Sequence, residues 1–162
     1  MAGRNREDDF NIIKVLEACR DIELMAAKLY EYFADLYKDN AKISVIWEKT
    51  SQEECNHAKQ FDLAIKLVKH DAIDSLNMCL KDVQKHYNLV EQLYNNAKIN
   101  PPSLLEAFRM AIQTENLFMK LHMSSIATFS DFSYQGLFNA MMKNDKEHIE
   151  TLTRTYNDLL TV

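Results

Sequence analysis

The scarcity of glycine and proline most limits what this chain can fold into. Only two Gly and two Pro occur among its 162 residues. A β-rich fold of this size needs many tight turns, which rely on these residue types, whereas long helices need few of them. Eight Met, with abundant Leu, Ala, Lys and Glu, are typical of helical sequences. The composition therefore predicts an all-α protein.

Apolar residues recur at a helical period along most of the chain. The stretches with this period run from about Asp9 to Asp39, from about Ile43 to His70, from Pro102 to Phe129, and from a cap at Ser130 or Asp131 onward. Residues 73–97 are a shorter, more polar helical stretch within a connection over 71–100. Helices of roughly 27 residues span about 40 Å. Four such amphipathic rods with one long crossover predict a single four-helix-bundle domain over 1–162.

Charge and hydropathy exclude several classes of protein. The net charge is −5 and the basic residues are scattered, which argues against nucleic-acid binding. No apolar run reaches the roughly 18 residues that a membrane span needs. The N-terminal segment is polar and lacks the hydrophobic core of a signal peptide. We therefore expect a cytoplasmic protein that binds neither nucleic acid nor membrane.

The cysteines predict neither a disulfide framework nor a thiolate metal site. Cys19, Cys55 and Cys79 are odd in number, and the sequence has no C-x-x-C motif. A zinc knuckle or a rubredoxin-type site is therefore not encoded. Buried free thiols are the expected state.

Ionisable residues interrupt the apolar stripe of each long helix. Their order along the chain is one acid, acid-x-x-His, one acid, acid-x-x-His, supplied by Glu23, Glu54 with His57, Glu115, and Asp145 with His148. The two halves also repeat, since the acids are 31 residues apart in the first and 30 in the second. ELMAAKLY (23–30) parallels ENLFMKLH (115–122), with Lys and Leu at the same offsets. The pattern predicts two similar helix pairs that face each other.

Four carboxylates inside a core need compensation. An unpaired buried charge costs many kcal/mol, and proteins avoid it by ion pairing, protonation or metal binding. No Lys or Arg occupies the same stripe positions. Two divalent ions would balance the four negative charges, and the i, i+3 spacing would give each ion one acid and one His. Mixed carboxylate and imidazole ligands favour iron or manganese. A metal-free bundle that serves as an interaction module is the alternative, because E-x-x-H also arises by chance in charged helices.

Several of these segments resemble rubrerythrin-like domains of the ferritin fold. ELMAAKLYEYFA (23–34) resembles their first helix and EECNHAKQF (53–61) their second, while ENL (115–117) and DKEH (145–148) resemble the third and fourth. The resemblance implies a ferritin-like four-helix bundle with a di-iron centre. It implies carboxylate ligands at Glu23, Glu54, Glu115 and Asp145, terminal ligands at His57 and His148, and a Tyr30 hydroxyl that hydrogen-bonds a ligand carboxylate.

The resemblance also implies an activity and an assembly. It predicts an oxidoreductase that reacts with peroxide or dioxygen in oxidative-stress defence, or alternatively a ferroxidase that handles iron as ferritins do. No catalytic residue is expected beyond the ligands, and a homodimer is expected. Manganese or a mixed metal pair remains open. Since no rubredoxin domain is encoded, the electron donor would be external.

Two positions depart from the family's pattern, and a third position, His122, belongs to the internal repeat. Phe118 stands where the family has a second glutamate, and Asp145 replaces the usual Glu. His122 takes the place of Tyr30 in the internal repeat, so it either hydrogen-bonds a ligand, as Tyr30 is expected to do, or is a packed core histidine.

The acids beside the apolar stripes and the two remaining histidines are expected to be solvent-exposed: Glu17, Glu31, Glu53, Glu147, His70 and His86.

Overall fold

The computed structural model describes residues 6–141 and 145–161, which form a predominantly helical fold with one small antiparallel sheet. The helices are α1 (Arg6–Leu36), α2 (Ala41–Val68), α3 (Leu80–Ile99), α4 (Leu104–Phe118), α5 (Met123–Ile126), α6 (Phe132–Met141) and α7 (Asp145–Leu160). The strands are β1 (Ile73–Leu76) and β2 (Ala127–Phe129). The prediction of a mainly helical protein is therefore confirmed.

Side-chain caps fix where three of the helices begin. The Asn40 side chain accepts a hydrogen bond from the Ile43 backbone N–H and so opens α2. Ser103 and Glu106 form a reciprocal capping box at the start of α4. The helix therefore begins after Pro102 and not at it, which corrects the predicted boundary. Asp131 accepts from the Ser133 backbone N–H at the start of α6.

Aromatic packing joins the first helix pair to α4. Helix α1 packs against both α2 and α3, and α4 packs against α7. The Trp47 ring of α2 stacks on Tyr30 of α1 at 6.0 Å and lies 4.4 Å from Phe108 of α4, measured between centroids. All three side chains are fully buried. The core therefore runs between these helices, and it surrounds the inward-facing acids of α1, α2 and α4.

The third long helix is shorter than predicted. The periodicity predicted a helix to Phe129, but α4 ends at Phe118. A turn follows, in which the Leu121 N–H donates to the Phe118 carbonyl at 2.7 Å. Two Ser and the β-branched Ile126 and Thr128 follow, and these residue types have lower helix propensity than Leu, Met or Ala. Residues 127–129 pair instead with β1.

A strand also replaces the start of the predicted 73–97 helix. Helix α2 ends at Val68, and Asp71 then takes a left-handed conformation with φ 52°, which a continuing helix does not allow. The chain leaves this turn extended and pairs Ile73 with Phe129 and Leu76 with Ala127, with one irregularity in the register. This sheet was not predicted. The helical part of the connection is α3.

Among the described helices, none is both long and apolar enough to cross a membrane.

Candidate metal centre

The structure brings most of the predicted ligands together in the protein interior. Glu23 of α1, Glu54 of α2 and Glu115 of α4 have exposed fractions of 0%, 0% and 3%. His57 of α2 and His148 of α7 are buried beside them. The sixth predicted ligand, Asp145, begins α7, but its side chain lies outside the described residues.

Each imidazole turns its Nδ1 atom toward carboxylates. His57 Nδ1 lies 3.3 Å from Glu54 Oε2 and 3.7 Å from Glu23 Oε2. His148 Nδ1 lies 3.9 Å from Glu115 Oε2 and 4.0 Å from Glu54 Oε1. Four helices thus supply one cluster of nitrogen and oxygen donors.

The donors fall into two sets, each able to hold one metal ion. In the first set, Glu23, His57 and His122 offer ligand atoms within 4.8 Å of one another. In the second, Glu54, Glu115 and His148 do the same. Donor atoms bound to a common metal at about 2.1 Å lie up to about 4.2 Å apart. Small side-chain adjustments would therefore bring each set to coordination distance.

A buried tyrosine holds one of the acids in place. The Tyr30 hydroxyl donates a hydrogen bond to Glu115 Oε1 at 2.5 Å. Burial and the negative charges of Glu115 and Glu54 raise the pKa of Tyr30 well above its ordinary value. Tyr30 therefore stays neutral and remains a donor, and its bond orients the Glu115 carboxylate.

Burial makes the ionised acids costly. It raises the pKa of Glu54 to about 8, a rise that His57 opposes and the Glu23 carboxylate supports. The pKa of Glu115 is also raised well above its usual range, first by burial and then by the charge of Glu54. Within the described part of the chain, no Lys or Arg forms an ion pair with Glu23, Glu54 or Glu115. Protonation or a bound cation must therefore compensate these carboxylates.

Several carboxylate oxygens also lack donors. Among residues 6–141 and 145–161, none donates a hydrogen bond of good geometry to either Glu23 oxygen or to Glu54 Oε1. A buried acceptor without a donor costs free energy comparable to a lost hydrogen bond. A metal ion would satisfy these oxygens, so the donor set fits a cation.

Two residues join the cluster that the sequence pattern did not assign as ligands. His122 is 5% exposed, and its ring centroid lies 5.0 Å from that of His57. Glu53, expected at the surface, places Oε2 3.1 Å from His148 Nδ1 while its side chain stays 39% exposed. Two sequence signals pointed to His122, which are the internal repeat and its position two turns after Glu115 on the same helical face. For Glu53 the sequence offered no signal, because a residue directly before Glu54 projects away from it on the helix.

A surface cavity reaches this cluster. Its volume is about 350 Å³, and Thr50, Glu53, Glu147 and His148 contribute to its lining. Glu53 and His148 therefore stand between solvent and the buried acids. The cavity is large enough for a small molecule, and it borders the second donor set at His148.

Comparisons with family models, with curated proteins and with solved structures found no match to this chain.

Proposed function

We propose that this protein is a ferritin-like four-helix bundle that binds two iron ions and acts as an oxidoreductase on peroxide or dioxygen. The observation that carries the proposal is a buried cluster of three carboxylates and three imidazoles. Among the described residues, no Lys or Arg forms an ion pair with any of the three carboxylates. The resemblance of 23–34 and 53–61 to rubrerythrin-like helices agrees with it. A cytoplasmic location and an external electron donor belong to the same proposal.

The chemistry of the donors supports iron. Glu23 with His57, and Glu54, Glu115 and His148, would hold the two ions, and Asp145 would add the fourth carboxylate. Oxygen and imidazole donors together suit iron and manganese, and no cysteine belongs to either donor set. A bound iron pair would supply Lewis acidity and one-electron redox chemistry at the end of the surface cavity.

The protein's own groups would control access and orientation. The Tyr30 O–H donates a hydrogen bond to the Glu115 carboxylate and so orients this ligand toward a bound cation. The aromatic layer formed by Trp47, Tyr30 and Phe108 packs beside the cluster and keeps bulk water from that side. Glu53 and His148 line the open side, so a small polar substrate would approach past them. Peroxide and dioxygen are both small enough to approach His148 through this cavity.

Metal analysis tests the proposal directly. We expect protein purified without chelator, then given Fe(II) anaerobically, to retain two metal ions per chain by mass spectrometry of the digested sample. Glu115→Gln should reduce the count to one or fewer, because the amide keeps the shape but removes a charge and a ligand. Glu17→Gln is the matched control, since Glu17 lies exposed on α1. A wild-type chain that retains no metal would leave the interaction module as the better explanation.

Assembly size separates the oxidoreductase from an iron-storage protein. We expect a homodimer in sedimentation velocity at micromolar concentration. Apolar side chains left at the surface, such as Phe132 (93% exposed) and Ile99 (75% exposed), are consistent with a further contact between chains. A shell of 12 or 24 subunits, as ferritins form, would instead favour iron storage. A monomer would contradict the dimer without bearing on the metal site.

A further inference from the structure

We propose that His122 is a direct ligand of one metal ion, which makes the two ions of the centre chemically unlike. This inference rests on the proposed dinuclear centre. One ion would be held by Glu23, His57 and His122, a set rich in nitrogen. The other would be held by Glu54, Glu115 and His148, a set rich in oxygen.

The early end of α4 is what brings His122 to this place. Had the helix continued, His122 would lie about 10 Å along its axis from Glu115, since each residue adds about 1.5 Å. The helix stops at Phe118 instead, and His122 takes an extended conformation with φ −62° and ψ 147° before α5. Its ring then lies against His57 on the Glu23 side of the cluster.

The loop that carries His122 is firmly held. The neighbouring Leu121 and Met123 are each 1% exposed, so the core anchors the chain on both sides of the histidine. The His122 carbonyl also accepts hydrogen bonds from the N–H groups of Ser125 and Ile126, at 2.8 and 3.1 Å. An anchored backbone presents the imidazole at a fixed position, which is what a metal ligand requires.

The two sets differ in charge and in donor type. Among the described side chains, Glu23, His57 and His122 supply one carboxylate and two imidazoles, whereas the other set supplies two carboxylates and one imidazole. Imidazole suits iron and the later first-row metals, carboxylates suit manganese, and the affinity of nitrogen and oxygen donors increases from Mn(II) to Co(II). The histidine-rich set should therefore bind Co(II) in preference to Mn(II), and the acid-rich set should discriminate less.

A packed core histidine is the competing explanation for His122. In that case its imidazole would fill space against the His57 ring and would bind no metal. Substitution would then change the stability of the protein and leave the affinity for each metal ion as it was. A ligand substitution behaves differently, because it weakens one site and spares the other.

Cobalt spectroscopy separates the two explanations. We expect His122→Cys, loaded with Co(II) alone, to show a thiolate-to-cobalt charge-transfer absorption in the near ultraviolet, since a cysteine placed at a ligand position binds Co(II) through sulfur. His70→Cys is the matched control, because His70 is exposed at the end of α2. Neither it nor the wild type, which carries the buried Cys19, should show the band.

Titration supplies a second, independent measurement. His122→Ala should weaken one of the two Co(II) affinities by about 10-fold or more and leave the other within about threefold. In the wild type, added Mn(II) should displace cobalt from the acid-rich set first. If the alanine variant does not fold, His122→Asn replaces it, since the amide retains polarity and most of the volume.

The outcomes are distinguishable. Two wild-type cobalt ions with no band in His122→Cys and no change of affinity in His122→Ala would overturn the role of His122 and leave the dinuclear centre intact. A wild-type chain that takes up no Co(II) would overturn the proposed function and this inference together. The band with selective weakening of one site would establish His122 as a ligand.

Discussion

Metal addition should raise the melting temperature of the metal-free protein by roughly 10–20 °C. A ligand present at 100 times its dissociation constant stabilises the folded state by about 2.7 kcal/mol per site. In a domain of this size, each kcal/mol shifts the melting temperature by about 2–4 °C. Two ions held by the buried acids therefore give a large effect. Scanning calorimetry of the chelator-treated protein, with and without anaerobic Fe(II), measures it.

Two variants show whether this shift comes from the buried cluster. Glu115→Gln should lose most of the shift, because Glu115 is a member of the second donor set and Tyr30 holds its carboxylate in place. Glu17→Gln changes the same functional group on the exposed side of α1 and should keep the full shift. A wild-type melting temperature that responds neither to metal nor to chelator would mean that these acids serve the fold alone.

The helices that carry the first-half acids could be read from local sequence alone. The 3.6-residue apolar period of α1 and α2 depends only on nearby residues, and it correctly placed Glu23, Glu54 and His57 on the buried face. The caps at Asn40 and Asp131 are equally local. The predicted ends of α1 and α2 differ from the observed ones by only two or three residues.

The sheet could not be predicted in this way because its two strands are distant in the sequence. Residues 73–76 and 127–129 are short, and neither alternates clearly enough to reveal a strand. Their pairing depends on the Asp71 turn and on the early end of α4, which bring the two segments together. The apolar period of the sequence continues past Phe118, so it did not predict that α4 ends there.

Packing between elements distant in the sequence also explains why the positions of His122 and Glu53 in the cluster were not predicted. A helical projection keeps His122 on the stripe of Glu115, whereas the turn after Phe118 moves it beside His57. Glu53 is rotated away from Glu54 by about 100° on the helix, so the projection predicts a solvent-facing side chain. The structure leaves it part-exposed, yet α7 brings His148 within 3.1 Å of it. Both positions follow from how elements pack, which the periodicity does not contain.

The stability of the metal-free protein should fall as the pH rises from about 5 to about 8. The pKa of Glu54 is raised to about 8 in the folded state, mainly by burial, from an ordinary value of 4.5. Between these values the folded chain binds more protons than the unfolded chain. Stability is then highest below the unfolded pKa and is lost as the pH rises through the folded pKa. The slope is up to about 1.4 kcal/mol per pH unit for each retained proton.

The metal-loaded protein should show the opposite trend. Metal binding requires ionised carboxylates and neutral imidazoles, so metal affinity increases as these groups lose protons. Urea unfolding across this pH range, with chelator and with bound metal, should give two curves that diverge as the pH increases. Metal stabilisation should therefore be smallest near pH 5.

Replacing Glu54 with Gln separates the effect of Glu54 ionisation on the stability of the metal-free protein from the effect of metal binding. The amide keeps the shape of the side chain but neither ionises nor repels Glu23 and Glu115. In the absence of metal, Glu54→Gln should flatten the pH dependence and be at least as stable as the wild type at pH 8, while losing most of the metal stabilisation. Glu17→Gln should follow the wild-type curves. A difference between the two variants would then show that the pH dependence comes from the buried Glu54 and not from exposed carboxylates. If the metal-free Glu54→Gln protein is clearly less stable at pH 8, the ionised Glu54 stabilises the fold by itself, and its burial does not require a cation.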